Sequence, residues 1–286
     1  MAHRVFIMFL VVVSVVALVA IIIHGLSYYV TPIHLRPFRA DYEQMKTSGN
    51  YSHGLGIIGA SMIIIGVTTY STRKRVRALW RLGKLPVWLE FHIFLCLLGP
   101  VLVIFHTTFK AGGVAAISLW TMLSVAASGI IGRFLYVQIP RNIQGGELSE
   151  GQVKAELDRL GAVLASSPLG SQLARTIDQS FSGIPRPKSL AQTFSSFFRL
   201  QSTRRHVRKM LDALIATSTL SREQARQVHE TAAARASLVQ KSLIFSQAGK
   251  LFHYWHAIHL PFTIIMFLTL AAHVVVSILL GYTWIF

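Results

Sequence analysis

Apolar residues in this chain gather into five long runs separated by polar stretches, and that alternation predicts most of its architecture. Val5 to Val30 is apolar for about two dozen residues, enough to span a hydrocarbon layer of about 30 Å. It is too long for the core of a signal peptide and no small-residue cleavage site follows, so it is expected to stay as a first membrane helix. Thr31 to Tyr51 is polar, with Pro32, Pro37 and charges of both signs, and is expected to form a loop outside the membrane. A second helix is predicted from about His53 to Tyr70 and a third from about Pro86 to Phe109. A short turn, Lys110 to Gly113, leads to a fourth from about Val114 to Val137, and a fifth runs from about Ala257 to Trp284.

Between the fourth and fifth runs the polarity changes. Gln138 to Phe252 lacks the apolar density of a membrane span and is predicted to be a helical insert, since nothing in it alternates like a strand. It opens with the irregular stretch IPRNIQGGELS, after which Ser149-Glu-Gly-Gln152 offers a capping box. Gly183, Pro185 and Pro187 mark Ser171 to Pro187 as a break. Ser189 to Ala216 is a second helical candidate carrying Arg204, Arg205, Arg208 and Lys209. Ser221-Arg-Glu-Gln224 is another capping box, opening a helix that stops near the fifth membrane run or continues into it. The expected organisation is therefore residues 1–137 with four membrane helices, 138–252 as the insert, and 253–286 with the fifth.

Composition agrees with bilayer immersion. Of 286 residues, 52% are hydrophobic and 14% charged, where a soluble domain carries nearer a quarter. The formal net charge is +17, and its distribution decides what it means. Arg73, Lys74, Arg75, Arg77, Arg81 and Lys84 crowd the connection after the second run with no acid among them, and the insert has 16 Lys/Arg against 8 Asp/Glu. Both belong on the cytoplasmic side by the positive-inside rule, so nucleic acid is not the expected partner. That puts the N-terminus inside, the C-terminus outside, and the third and fifth helices parallel. Cys96 is the one cysteine, which excludes an internal disulfide, a cysteine-held iron–sulfur cluster and covalent c-type haem.

The chemistry lies in the histidines. His92 and His106 on the third run are fourteen residues apart, as are His259 and His273 on the fifth. Fourteen helical residues rise roughly 21 Å and return to within about 40° of the same face. Imidazoles in hydrocarbon are costly unless paired or coordinated, and here parallel helices would set His92 against His259 and His106 against His273. Zinc would need three or four converging ligands, whereas each level supplies two. Two axial imidazoles complete an iron whose other ligands come from a porphyrin, so the expectation is two non-covalent b-type haems. Arg133, Arg81 and Lys84 are candidate propionate partners for the inner haem and Lys110 for the outer one. Gly54, Gly56, Gly59, Gly66, Gly99, Gly129 and Gly132 are small residues that a flat macrocycle could approach. Glu90, the one carboxylate inside a predicted span, is a candidate proton relay, propionate partner or interfacial acid paired with an arginine. His24 and His53, at similar depth, are candidates for a further haem or a quinone. His34, His206 and His229 are expected to be solvated.

The segments LEFHIFLCLLGPVLVIFH and HAIHLPFTIIMFLTLAAH, with HGLGIIGASMIIIGVTTYSTRKR before them, resemble the haem core of the cytochrome b and ferric reductase-like transmembrane superfamily. The resemblance covers about 120 residues of membrane core and excludes the insert. It implies an all-α integral membrane protein with a four-helix dihaem core, carrying electrons between quinone and partners such as c-type cytochromes or iron–sulfur proteins. It also implies a bacterial-type inner membrane and a place in a respiratory oxidoreductase complex. The chain stops two residues after Trp284 without the flavin- and nicotinamide-binding domain of ferric reductases, so it is not expected to take hydride itself. The alternative class is a non-redox transporter or sensor using intramembrane histidines for metal or haem. Glu90 as lone intramembrane carboxylate argues against a cation pathway.

Overall fold

The computed structural model describes residues 2–113, 115–141, 147–167, 169–185, 187 and 189–282. All regular structure among the described residues is helical, with one isolated bridge between Arg141 and Glu147. The helices are α1 (Ala2–Tyr29), α2 (Tyr42–Met45), α3 (Asn50–Arg75), α4 (Leu85–His106), α5 (Ala115–Gln138), α6 (Glu150–Ala165), α7 (Gly170–Ser182), α8 (Leu190–Ala216) and α9 (Arg222–Leu279), with 3₁₀ turns at Arg36–Phe38 and Arg77–Arg81. Five segments are long and apolar enough to cross a membrane: His3–Tyr29, Tyr42–Arg75, Leu85–His106, Ala115–Gln138 and Arg222–Leu279. The chain is a membrane protein by that measure. Their outward faces are apolar, as lipid contact requires; Val16, Ile23, Ile131 and Leu268 are each more than half exposed.

The chain divides into two compact units, Ile131–Ala257 and the remainder on either side of it. In the remainder, α3 and α4 pack along their length because glycine lets their backbones touch. A Cβ on Gly59 would lie 2.6 Å from the Gly99 carbonyl oxygen, and one on Gly99 would lie 2.7 Å from that of Gly59. A Cβ on Gly66 would meet Leu95 and Cys96 at 3.0 and 3.1 Å. These three glycines serve helix contact, a different use from the macrocycle approach expected of them. Gly132 faces Trp255 within the other unit, and nothing lies within 4 Å of Gly129.

Pairing along these helices fixes their directions. Ser52 meets His106 while Gly66 meets His92, so α3 and α4 are antiparallel. His53 and His273 share one cavity while Ile63 packs with Met266, so α3 is also antiparallel to the end of α9. α4 and the last part of α9 therefore run the same way. Ser128 with His259 and Thr121 with Thr269 make α5 antiparallel to that same stretch.

The Ile131–Ala257 unit has its own core of Leu164, Leu173, Ile177, Leu200, Val207, Leu211, Ala232 and Ile244, each nearly inaccessible. Ser149 closes a capping box with Gln152 at the start of α6, and Ser221 does so with Gln224 before α9. Two helix bounds differ from expectation, at α7 and at the end of α4, and the open question after Ser221 is resolved toward continuation. Ser171 to Pro187 is not one break: α7 occupies most of it, because Leu173, Ile177 and Phe181 recur every fourth residue and bury one face. The interruption begins only at Gly183. The helix opened by Ser221 continues without a stop as α9 to Leu279, passing Gly249 and Pro261. α4 ends at His106, three residues before the expected Phe109, because Thr108 and Phe109 adopt left-handed backbone (φ 51° and 63°). Val114, Trp284 and residues 142–146 of the irregular stretch lie outside the described residues.

Candidate functional site

His106 closes α4 and points the chemistry of that end. A cavity of about 600 Å³ lies among α3, α4, α5 and α9, lined by His53, His106 and His273. Its deep end is apolar and buried, formed by Ile63, Leu119, Met122 and Met266. Its accessible end carries Lys110, Thr47 and Tyr282. The ring centres of His106 and His273 are 6.5 Å apart, and those of His53 and His106 are 5.9 Å apart. A metal bond of about 2.0–2.1 Å to a ring nitrogen, plus roughly 1 Å to the ring centre, puts two imidazoles on opposite sides of one metal roughly 6 Å apart. The His106–His273 separation suits that arrangement. Among the described residues, no group of three or more His, Cys, Asp or Glu converges to hold a metal ion.

The tautomers are set by neighbouring helices. His106 Nδ1 lies 2.9 Å from the Ser52 carbonyl oxygen and His92 Nδ1 lies 3.0 Å from that of Gly66. A carbonyl only accepts, so Nδ1 carries the proton in both and the neutral ring presents a bare Nε2 lone pair. His259 Nδ1 is 2.6 Å from Ser128 Oγ, whose hydroxyl donates to the Val125 carbonyl at 2.9 Å and leaves the oxygen to accept. The Nδ1 atoms of His92, His106 and His259 are thus each held by a partner on a neighbouring helix. Gly56 makes the His106 arrangement fit: a Cβ there would lie 2.8–3.0 Å from the imidazole atoms.

The structure brings His106 and His273 together; it holds His92 against α3, stacked on Tyr70 at 5.2 Å, and His259 against α5. Cys96 Sγ is 3.6 Å from His92 Nδ1. Among the candidate cations Lys110 lines the cavity, whereas Arg81 and Lys84 are exposed beside the 3₁₀ turn. Arg133 belongs to the Ile131–Ala257 unit, its guanidinium 5.7 Å from the Tyr136 ring centre. Glu90 is nearly buried, and its carboxylate reaches His3 of α1 at 3.5 Å, a partner the sequence did not single out. His53 lines the cavity, while His24 is exposed and lies tilted against Tyr51 with ring centres 4.4 Å apart. His34 and His206 are exposed, and His229 is bonded to Asp212 at 2.9 Å.

Four residues escaped sequence reasoning. Ser52 and Ser128 orient histidines, and only a helix-by-helix register could have pointed to them. Arg36 and Arg73 looked like solvated or orientation charges, yet each is buried and satisfied by main-chain oxygens. Arg73 donates to the Trp80 and Gly83 carbonyls, both at 2.8 Å, and so ties down the basic connection. No family model, curated protein or solved structure matches the chain.

Proposed function

We propose that this chain carries electrons across a membrane through two non-covalent haems, each held between one histidine of α4 and one of α9. The observation that carries the reading is the His106–His273 pair, facing across a cavity among four helices. The cavity's chemistry fits the group: a flat apolar face suits Ile63, Met122 and Met266, and acidic substituents suit Lys110 at the accessible end. His106 and His273 would hold the outer haem; His92 and His259, both with Nδ1 committed elsewhere, would hold the inner one. Bound iron would supply a one-electron couple at each level and divide a hydrocarbon layer of about 30 Å into shorter hops. With two protein nitrogens each, the centres would favour electron transfer over ligand binding.

The protein's own residues do the rest. Ser52, Gly66 and Ser128 hold the imidazoles in one tautomer, and the buried floor excludes water. The six cations from Arg73 to Lys84 favour an orientation with the N-terminus and the Ile131–Ala257 unit inside and the His106 level outside. Membership of the cytochrome b and ferric reductase-like superfamily, a bacterial inner membrane, a quinone, and c-type cytochrome or iron–sulfur partners are parts of the same proposal.

Pyridine haemochrome analysis of the purified chain should give two haems per polypeptide, with low-spin b-type bands after dithionite. His106→Ala should lose one haem and spare the other. Folded protein purified without haem from haem-replete cells would refute the reading. Zinc or copper in its place would favour a transporter or sensor.

A further inference from the structure

Arg36 sits in the connection between α1 and α3 and is 4% exposed. Its guanidinium fork meets three main-chain oxygens: Nε donates to Thr31 at 2.9 Å, Nη2 to Tyr29 at 2.9 Å and Nη1 to Thr108 at 2.8 Å. The last of these crosses 72 residues of sequence and lands on the turn that follows His106. That turn is built from Thr108 and Phe109 at φ 51° and 63°, a conformation that side chains with a Cβ adopt only when their surroundings hold them. Phe109 is held edge-on by Tyr29 and Phe105, with ring centres 5.4 Å from each. On one side of the turn His106 and Thr107 line the cavity; on the other Lys110 does.

We infer that Arg36 is a positioning residue for the outer site: by fixing the Thr108 carbonyl it maintains the left-handed turn that aims His106 and Lys110 into the cavity. This rests on the haem reading above. Lysine cannot replace it, because one ammonium does not present a planar fork to three carbonyls.

The test uses the full chain in detergent, with electron paramagnetic resonance of its two ferric low-spin signals. Arg36→Gln and Arg36→Lys should each shift one signal, leave the other unchanged and retain two haems per chain. Thr108→Gly added to either variant should return the shifted signal toward its original position, since glycine adopts positive φ without a Cβ penalty and the Phe109 ring keeps its contacts. A guanidinium acting only through its charge would be mimicked by lysine and would not be rescued by glycine. Signals that stay fixed, move together, or resist the glycine rescue would overturn the inference. If the wild-type chain binds no haem, the haem reading fails instead. Hydrogen exchange at residues 104–110 then judges Arg36 alone: loss of a charge-assisted bond should accelerate it roughly ten- to a hundredfold in Arg36→Lys, and unchanged exchange would overturn it.

Discussion

A histidine is held in one orientation when one ring nitrogen is occupied, and Ser128 shows how little that takes. One hydroxyl, itself tied to Val125, accepts from His259 Nδ1 at 2.6 Å. Under the proposed haem reading, Ser128→Ala should weaken haem retention at the His92/His259 level by about 10–100-fold, measured as transfer to apomyoglobin, while Ser128→Thr should hold it. The His106–His273 approach is legible because a fourteen-residue histidine spacing repeats on two apolar runs. The acceptors at Ser52 and Gly66 are not, because every residue owns a carbonyl and only register selects one. Arg36 and Arg39 illustrate the same limit from the charged side. Arg36 is buried, whereas Arg39 makes a fork with Asp41 at 2.8 Å and holds that carboxyl below its usual acid range. The Asp41 contribution is complete above the ordinary carboxylate value and is lost as pH falls through the lowered one. Thermal midpoints of Asp41→Asn should therefore fall less steeply on the acid side than those of the wild type, by a small margin because the pair is partly exposed.

Among the helices, local signals were read well and long-range ones poorly. The boxes at Ser149 and Ser221 form as their sequences dictate, since a cap depends on four consecutive residues. α7 is masked in the sequence by the glycine and prolines that follow it, although Leu173, Ile177 and Phe181 keep helical spacing. Leu173 is fully buried, so Leu173→Ala should cost the Ile131–Ala257 unit about 2–5 kcal/mol, seen as protease sensitivity between α6 and α8 at lower temperature. At the α3–α4 contact, Gly59→Ala would set a methyl 2.6 Å from the Gly99 oxygen. It should lower stability by about 1–3 kcal/mol, read as the thermal midpoint in detergent. Pro261 leaves α9 unbroken, as membrane helices tolerate when neighbours satisfy the freed carbonyl.

For the whole molecule, hydropathy reveals that there are membrane helices, and charge bias is the only clue to their sidedness. Cys96 is the one native cysteine, so replacing it and placing a single cysteine at Ser167 or at Phe38 makes orientation measurable. An impermeant maleimide should label Phe38→Cys in intact cells, and Ser167→Cys only in inverted vesicles. The α3 acceptors Ser52 and Gly66 lie fourteen residues apart, the same interval that separates His106 and His92 on the antiparallel α4. The two helices therefore act as matched scales. One residue inserted in either, between those marks, would turn one acceptor or one imidazole by about 100° and advance it about 1.5 Å. Segments 52–66 and 92–106 can thus tolerate substitutions at many positions, but not an unmatched insertion or deletion. A length change in one should be rescued only by a compensating change in the other.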